Sequence, residues 1–511
     1  MKIYSAGQIR KWDAYTIAQE PVSSIDLMER AATACCKWLI GKNFGQRHFH
    51  LFCGKGNNGG DGLALARLLT EHKCRVTVYI LEYGNIGTSD FQTNLERLHP
   101  ICRDIHFLQS PEFFPAVPGL VPEEAVIIDA IIGTGLNKSL QGITAALAEY
   151  INGLKAQVIS IDMPTGLYSD SSSKGNVVVK ANQTLSFQCQ KLAFLLPENE
   201  PFIGEVHILD IGLHINFEAS EAAPFEIIDP EAVKAIYKPR KKFSHKGSYG
   251  HAALVSGSRG MMGAAILSSL ACLHSGVGKL TSYIPGCGYL ALQTAVPEAM
   301  CRISGDDHII AVPALGDHEA VGIGPGIGIV PSNVQLLKDI FQSVKQPMLI
   351  DADALNIIGE NRELLELVPP HSILTPHPKE FERLFGAVNN DFERIQLALQ
   401  KSKEHNIHIL LKGHYSFISI PPAAPSDLPP LKGYFNPTGN PGMAKAGSGD
   451  VLSGIITALL AQGYTPLQSC VLGTWLHGMA GDIAAEKFTQ EAMVAGDIIA
   501  CLPQAFKELV V

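Results

Sequence analysis

The stretch NPTGNPGMAKAGSGDVLSGIITALLAQG, running from Asn436 to Gly463, decides how this chain is read. Beyond its centre, Gly447-Ser448-Gly449-Asp450, the apolar positions Val451, Leu452, Ile455, Ile456, Leu459 and Leu460 fall on one stripe of a helix, which Gly463 and Pro466 stop. Glycines just before a helix let backbone N–H groups approach an anion, and the helix N-terminus adds partial positive charge. Asp450 conflicts with that picture, because a carboxylate repels bound phosphate. Either Asp450 caps the helix, or it is a base facing a hydroxyl that attacks a phosphoryl group.

The first half of the chain carries a second glycine-rich loop. Residues 5–40 read as helical, with Ile9, Trp12, Ile17, Leu27, Met28, Ala31, Ala32 and Cys35 as apolar positions. An apolar strand from Phe49 to Cys53 enters GKGNNGGDG at Gly54–Gly62, a helix follows to Leu69, and Val76–Ile80 is the next strand. Gly54, Gly56 and Gly59 satisfy the dinucleotide fingerprint, with Glu82 where a ribose-binding acid would sit. That fingerprint does not call for Asn57, Asn58 and Asp61, polar residues that suggest a cation or a reacting group in the loop. Two further strands end in acids, Glu124–Asp129 before Gly133 and Gln157–Asp162 before Thr165 and Gly166. Acids often cap helices, yet in an open parallel sheet ligands bind beyond the carboxyl ends of strands, so Asp61, Asp129 and Asp162 should converge. Lys191 to Leu213 reads as further strands, ending with His207–Ile211.

A chain of 511 residues exceeds the roughly 250–300 that one core supports. The composition shifts at Glu218–Pro224, followed by a basic run Lys238–Lys242, read as solvated or, with Lys246, bordering an acidic ligand. The second half repeats strand, glycine loop and helix: Ala252–Ser256 enters Gly257–Gly263, Val321–Ile323 enters Gly324-Pro-Gly326-Ile-Gly328, and Met348–Ile350 enters Asp351-Ala-Asp353. Ile373-Leu374 leads into Thr375-Pro-His377-Pro, and Ile407–Leu411 into Lys412-Gly413. Alternating strands and helices throughout argue α/β with mostly parallel sheets. His377 reads as structural or as a ligand contact, and Asp351 and Asp353 as helix caps, favoured over Mg2+ ligands. The Pro-rich loop Pro422–Pro430 is expected to carry no chemistry. A net charge of -9 argues against general nucleic-acid binding. The 11 cysteines form no C-x-x-C, which fits a reducing compartment. With no apolar run of membrane-spanning length and no signal-peptide core in MKIYSAGQIRKWD, a cytoplasmic protein is expected.

GKGNNGGDGLALARLL and AGSGDVLSGIITALLAQG, in that order on one chain together with MPTG, GIGPGIG and TPHPKEFERLFG, resemble the bifunctional NAD(P)H-hydrate repair family over almost the whole length. The resemblance implies a Rossmann-like epimerase domain over residues 1–217 and a ribokinase-like, ADP-dependent dehydratase domain over 221–507. It implies that the first interconverts R and S hydrates of NADH and NADPH (NADHX and NADPHX). The second would dehydrate the S form while converting ADP to AMP and phosphate, through a phosphorylated intermediate. Epimerase substrate contacts would be Asn57, Asn58, Gly59, Gly60, Asp61, Gly133, Thr134, Gly135, Leu136, Asn137, Lys138, Ser139 and Asp162. K+ would be held by Asn58, Asp129 and Thr165. In the dehydratase, Ala264, Gly326, His377 and Asp450 match hydrate contacts. Lys412, Gly413, His414, Tyr415, Ser416 and Gly449 match nucleotide contacts, with Mg2+ accompanying ADP. Asp450 and Asp162 would be catalytic, and a homo-oligomer is implied.

Three rival readings remain: a vitamin or sugar kinase in the second half, an NAD dehydrogenase in the first, and a non-catalytic scaffold in the first. Free phosphate and AMP as products distinguish a repair enzyme from a kinase. A dehydrogenase would need a hydride-acceptor pocket, and a scaffold has no need of clustered acids.

Overall fold

The computed structural model describes residues 1–510 apart from 83, 85, 116–124, 314 and 423–430. The expected strand residue Glu124 and nearly all of the Pro-rich loop therefore lie outside the described residues. The chain divides into two compact units, Met1–Ala223 with Asn390–Phe392, and Pro224–Asn389 with Glu393–Val511. No helix is long and apolar enough to cross a membrane among the described residues.

The first unit is built on a seven-stranded sheet whose spatial order is Ile105–Leu108, Arg75–Leu81, His48–Cys53, Ala125–Ala130, Gln157–Ile161, Gln183–Phe187, Glu205–Leu209. Every neighbouring pair is parallel. Chain order reverses between His48–Cys53 and Ala125–Ala130, so the loops leaving these two strands diverge and open a crevice. Ala125–Ala130 is buried throughout, and His48–Cys53 becomes fully buried from Leu51 onward, where it approaches the crevice.

Glycine sets this crevice by permitting backbone contact. A Cβ on Gly54 would lie 2.1 Å from the Ile131 carbonyl oxygen, and one on Gly59 would lie 1.7 Å from that of Gly54. The helix therefore begins inside the glycine loop, at Asn57, with Gly56 as an N-cap that offers no side chain. Two expectations fail here. The helical stretch over residues 5–40 is two helices, Ala6–Gln19 and Ser24–Gly41, parted by Pro21 and each closed by its own Ser capping box. The region after Lys191 is short helical turns, Leu192–Leu195, Pro197–Asn199 and Glu200–Ile203, before a single strand. Pro197 and Pro201 lack the N–H groups a strand ladder requires.

The second unit has its own sheet, in the order Phe225–Ile227, Gly433–Asn436, Ser416–Ser419, His408–Leu411, Ile373–Leu374, Leu349–Ile350, Ala320–Ile323, His251–Val255, Lys279–Ile284, Met300–Ile303. Ser416–Ser419 runs antiparallel to both its neighbours, while the other neighbouring pairs are parallel. The reversal falls between Ala320–Ile323 and His251–Val255. The opening motif supplies helix Ser448–Ala461, buried along almost its whole length beside helix Met262–His274 in the main core. The basic run is partly consumed by this scaffold. Lys238 donates to the Gly463 carbonyl at 3.1 Å and lies over the Tyr464 ring, and Arg240 lies over Tyr249.

Candidate active sites at the two sheet switch points

In the first unit a cavity of about 980 Å³ opens at the switch point. Asn57, Asn58, Asp61, the whole loop Gly133–Ser139 and Asp162 line it, so the structure brings together nearly every expected hydrate contact. Gly59 and Gly60 are buried behind it, where Gly60 leaves room for the Met28 sulfur. Ser139 donates to Asn176 at 2.9 Å, which commits its hydroxyl to holding the loop.

Asp162 follows directly on strand Gln157–Ile161 and holds a left-handed φ of 65°. Its backbone N–H still donates to Leu185 at 2.8 Å, so the next strand holds this unusual conformation in place. The carboxylate accepts the Thr134 N–H at 2.7 Å and lies 3.2 Å from the ammonium of Lys191. Lys191 is fully buried and also donates to the Phe187 carbonyl at 3.2 Å. Gly133 is required beside this group, since a Cβ there would meet the Asp162 carboxylate at 2.3 Å.

Two more carboxyls face the same cavity, Asp61 and Asp13. Burial pushes Asp61 well above the carboxylate range, and the charges of Asp162 and Asp13 add to the push. Asp13 is pushed up to about 7 by burial and then by Asp162, with Lys191 opposing. One buried cation thus serves one of three acids.

Asp129 does not join that cluster. It is fully buried and takes hydrogen bonds from the Ser160 hydroxyl at 2.8 Å, the Thr165 N–H at 2.8 Å and the Thr165 hydroxyl at 2.6 Å. Burial raises its pKa, with these bonds opposing. The expected convergence of three acids is therefore corrected: Asp61 and Asp162 meet at the cavity, joined by Asp13, whereas Asp129 lies behind it. The Thr165 hydroxyl is also 3.1 Å from the Ile132 carbonyl. The Asn58 amide, oriented to satisfy both groups, spans the Gly133 N–H and the Ile161 carbonyl at 3.2 Å each. A buried carboxylate, a hydroxyl and a carbonyl in mutual contact are an all-oxygen set without a countercharge, which suits a hard monovalent cation. Among the described residues no three His, Cys, Asp or Glu side chains gather as a metal site. Glu82, the acid of the dinucleotide fingerprint, is ion-paired with Lys55 and accepts the Gly84 N–H.

In the second unit the loops after His251–Val255 and Ala320–Ile323 interlock. The Gly257 N–H donates to the Pro325 carbonyl and the Ser258 hydroxyl to that of Gly326, both at 2.8 Å. A Cβ on Gly326, whose φ is 63°, would stand 3.0 Å from the Ala264 Cβ, so these two expected contacts adjoin. Gly447, with φ 94°, starts helix Ser448–Ala461, and no side chain caps it. Its first N–H groups have no intrahelical partner. The Ser448 hydroxyl and His477 Nε2 are buried with no hydrogen-bond partner among the described residues, and burial pushes the His477 ring down to about 4. Unsatisfied polar atoms at an uncapped helix start point to a polar ligand.

Asp450 lies in that first turn without capping it. Burial pushes its carboxyl up to about 7, the charge of Asp351 adds to the push, and Lys412 opposes it. Lys412 sits below the helix start, 3.6 Å from where a Gly449 Cβ would be. It lies 2.9 Å from Asp351 and 3.7 Å from Glu380. Burial works against the Lys412 charge, but these two acids outweigh it and its pKa rises.

The favoured capping reading of Asp351 and Asp353 is corrected by these contacts. Asp351 occupies an N-cap position yet makes no capping bond, because Lys412 and the Ser453 hydroxyl at 2.5 Å take its carboxylate. Burial works against its charge, yet those partners hold its carboxyl below the ordinary value. Asp353 instead accepts the Gly328 N–H at 2.9 Å and so buttresses the glycine loop. His377 does cap a helix, Pro378–Phe385. Its Nδ1 accepts the Lys379 and Glu380 N–H groups at 3.1 and 3.2 Å, and its own N–H donates to Glu380 in return. Nε2, 3.5 Å from Glu380, completes a chain from His377 through Glu380 to Lys412. In the turn after Lys412, His414 and Tyr415 stack at 4.3 Å, and Ser416 donates to the Gly413 carbonyl at 2.9 Å.

Asp13, Lys191, Ser453 and His477 are site residues that sequence reasoning missed. Ser453 stands one helical turn beyond Gly449, a spacing that could have flagged it. A lysine directly before the apolar run Leu192–Leu196 was a fainter signal for Lys191, and nothing local marks Asp13.

Comparison with known proteins accords with this arrangement. A family model described as NAD(P)H-hydrate dehydratase matches residues 252–504, and one described as YjeF-related protein N-terminus matches residues 24–193. The bifunctional NAD(P)H-hydrate repair enzyme Nnr of Moorella thermoacetica is 32% identical over 100% of this chain and 97% of its own length. That of Escherichia coli K12 is 29% identical over 98% and 93%. An ADP/ATP-dependent NAD(P)H-hydrate dehydratase from Bacillus subtilis, crystallised with ATP and Mg2+, covers 56% of this chain and 98% of its own at 29% identity and a TM-score of 0.48.

Proposed function

The chain belongs to the family of bifunctional NAD(P)H-hydrate repair enzymes, and from that premise we propose how its two sites divide the work. The first unit interconverts the R and S hydrates at C6 of the reduced nicotinamide ring. The second removes water from the S hydrate at the expense of ADP, giving AMP, phosphate and NADH or NADPH. We assign the epimerase to residues 1–217 and the dehydratase to 221–507.

The observation that carries this reading is Asp450, a carboxyl poised at about 7 in the first turn of an uncapped helix. Hydroxide is a poor leaving group, so the hydrate must first be activated. Asp450 accepts the C6 hydroxyl proton as that oxygen attacks the terminal phosphoryl of ADP, and AMP leaves. The N–H groups of Ser448–Asp450 face the transferred phosphoryl, and Lys412 beneath them adds fixed positive charge. Phosphate then departs from C6, driven by the ring nitrogen, and loss of the C5 proton restores the dihydronicotinamide. Gly326 and Ala264 receive the hydrate opposite this helix, where side chains would block its approach. His377 contributes as the cap that fixes Glu380 against Lys412. The turn Lys412–Ser416 receives the nucleotide, with the His414 and Tyr415 rings available to a base.

Mg2+ entering with ADP would neutralise phosphate charge. In the first unit Asn58, Asp129 and Thr165 would hold K+, which supplies the countercharge that buried Asp129 lacks. The same residues tie the Gly133 loop to the strand end that carries Asp162. The eleven cysteines are all free, in keeping with a cytoplasmic location, and assembly as a homo-oligomer is open to measurement by light scattering.

The test is recovery of reduced-nicotinamide absorbance from a mixed R,S hydrate with ADP, with ATP or with no nucleotide. Complete recovery with ADP, accompanied by AMP and phosphate, is expected. Recovery that stalls once the S form is gone removes the epimerase assignment, and a stable phosphorylated product returns the second unit to the kinases.

A further inference from the structure

Asp13 is the one acid in the first cavity that no glycine loop or strand end explains. It sits on helix Ala6–Gln19, away from the sheet's switch-point loops, yet it lines the same void as Asp61, Asp162 and Lys191. Its carboxyl makes none of the side-chain hydrogen bonds or ion pairs found among the described residues, whereas Asp162 is bound by Lys191 at 3.2 Å and by Thr134 at 2.7 Å. The cavity therefore presents two unlike carboxyls, one ion-paired and one unpaired.

We propose that Asp13 is a catalytic residue of this site, the acid that exchanges a proton with the ring nitrogen of the hydrate while Asp162 exchanges one with the C6 hydroxyl. The proposal rests on the epimerase reading of the first unit. In the forward step Asp162 takes the hydroxyl proton, the O–H electrons close the C6 carbonyl, and the C6–N1 bond breaks. Its electron pair goes to N1, which takes the proton of Asp13. Rotation about C5–C6 exposes the other face of the aldehyde. In closure N1 adds to that face, Asp13 recovers its proton and Asp162 returns one to the oxygen, so nothing is consumed.

Acid–base assignments are set where neighbouring environments drive two titratable groups apart. The groups facing Asp13 are Asp162 and Lys191, with Asp61 on the neighbouring helix and Arg10 on its own. Burial and the Asp162 charge hold the proton on Asp13 up to about pH 7. Burial, and after it the charges of Asp162 and Asp13, push Asp61 upward as well.

The experiment uses the full chain with single-epimer NADPH hydrate and no nucleotide, following the other epimer by chromatography from pH 6 to 9 above the spontaneous rate. For the wild type, kcat should fall about tenfold per pH unit above pH 7. Asp13→Asn should lose about 100-fold in kcat, keep KM within about threefold, and no longer show that alkaline fall. Asp13→Glu should recover part of the rate together with the fall. A wild-type rate that is flat or rises toward pH 9 overturns the proposal whatever the variants do. So does an Asp13→Asn chain that retains full kcat or loses only affinity. A wild-type chain that does not accelerate interconversion at all removes the epimerase reading itself, and the proposal with it.

Discussion

The two sites solve one electrostatic problem with opposite geometry. In each, a buried lysine is committed to other acids, and a further carboxyl is left at about 7 by burial, by a neighbouring acid and despite that lysine. In the second unit this carboxyl is Asp450, beside Asp351 and Lys412. In the first it is Asp13, beside Asp162 and Lys191. The difference lies in what surrounds the poised group. Asp450 stands in the first turn of an uncapped helix, beside N–H groups that can receive phosphate. Asp13 stands on the flank of a helix and shares its cavity with the uncapped start of helix Asn57–Glu71, but does not lie in that first turn. Asp450 is placed to couple proton removal to phosphoryl transfer at its own helix start, whereas Asp13 is placed to exchange protons with a ligand in the cavity. Poising a carboxyl is thus the shared device, and the two sites differ in whether that carboxyl lies within the helix's first turn or across the cavity from it.

The comparison breaks most sharply at Asp450. Asp450→Asn removes the proton acceptor and keeps the shape, so dehydration of the S hydrate with ADP should fall about 1000-fold. ADP binding, read by calorimetry, should persist or strengthen, because a negative neighbour of the phosphates has gone. Epimerisation in the same chain should be unchanged. Full dehydration by this variant would remove Asp450 from the mechanism.

The lysines give the next effect. Asp351 is 1% exposed, so Lys412→Met leaves a buried charge stranded and should cost about 3 kcal/mol. Asp162 retains 15% exposure toward the cavity, so Lys191→Met should cost less, about 1 to 2 kcal/mol. Urea denaturation separates the two if the transition shifted by ADP is followed for Lys412→Met. Adding Asp351→Asn to Lys412→Met should recover much of the loss, and a pair of substitutions that behaves additively would show that the two groups are not coupled.

How much of this was legible follows from where each residue sits. Loops at strand ends announce themselves, because glycine clusters and terminal acids interrupt apolar runs. Asp450, Gly326, the Gly133–Ser139 loop and Asp162 could therefore be picked out as candidates, and the α/β class was legible with them. Asp351 was misread because its N-cap position is visible in sequence while the lysine that claims its carboxylate lies 61 residues away. Asp129 looked equivalent to Asp162, since both end strands. Only the fold shows that Ser160 and Thr165 draw one inward while a left-handed turn swings the other into the cavity. Asp13 and Lys191 were invisible for the same reason: each is an ordinary charged residue until the tertiary fold gives it neighbours. The break between the first two helices was available in Glu20-Pro21, where a proline disfavours helix at the residue before it.

The two poised carboxyls predict opposite pH dependence in one polypeptide. As the proposed base Asp450 must lose its proton, so dehydration should rise about tenfold per pH unit below 7 and level above it. Asp13 acts as an acid and must keep its proton, so epimerisation should level below 7 and fall above it. Measuring both reactions on the same preparation, with purified S hydrate for one and no nucleotide for the other, places the crossing near neutrality. Parallel profiles would show that one of the two roles is reversed.

The smallest expected effect concerns stability, at Asp61. A carboxyl raised in the folded state keeps its proton at a pH where the unfolded chain has lost it. Its contribution is therefore fully present below the unfolded value, near 3.8, and is lost as pH rises toward the folded one. Asn at this position cannot ionise and removes that dependence. Asp61→Asn should stabilise the first unit by about 1 kcal/mol at pH 8, the usual scale for relieving a strained functional group, while slowing epimerisation. The gain should shrink as pH is lowered toward 4, which denaturation midpoints at pH 5 and 8 would reveal. In the second unit the corresponding acid is Asp351, whose carboxyl is held low by Lys412, so the sign reverses. Asp351→Asn should destabilise at pH 8, and that cost should fade as pH drops through the depressed folded value. Equal signs at Asp61 and Asp351 would mean that the lysine in each site does not choose between acids as the geometry requires.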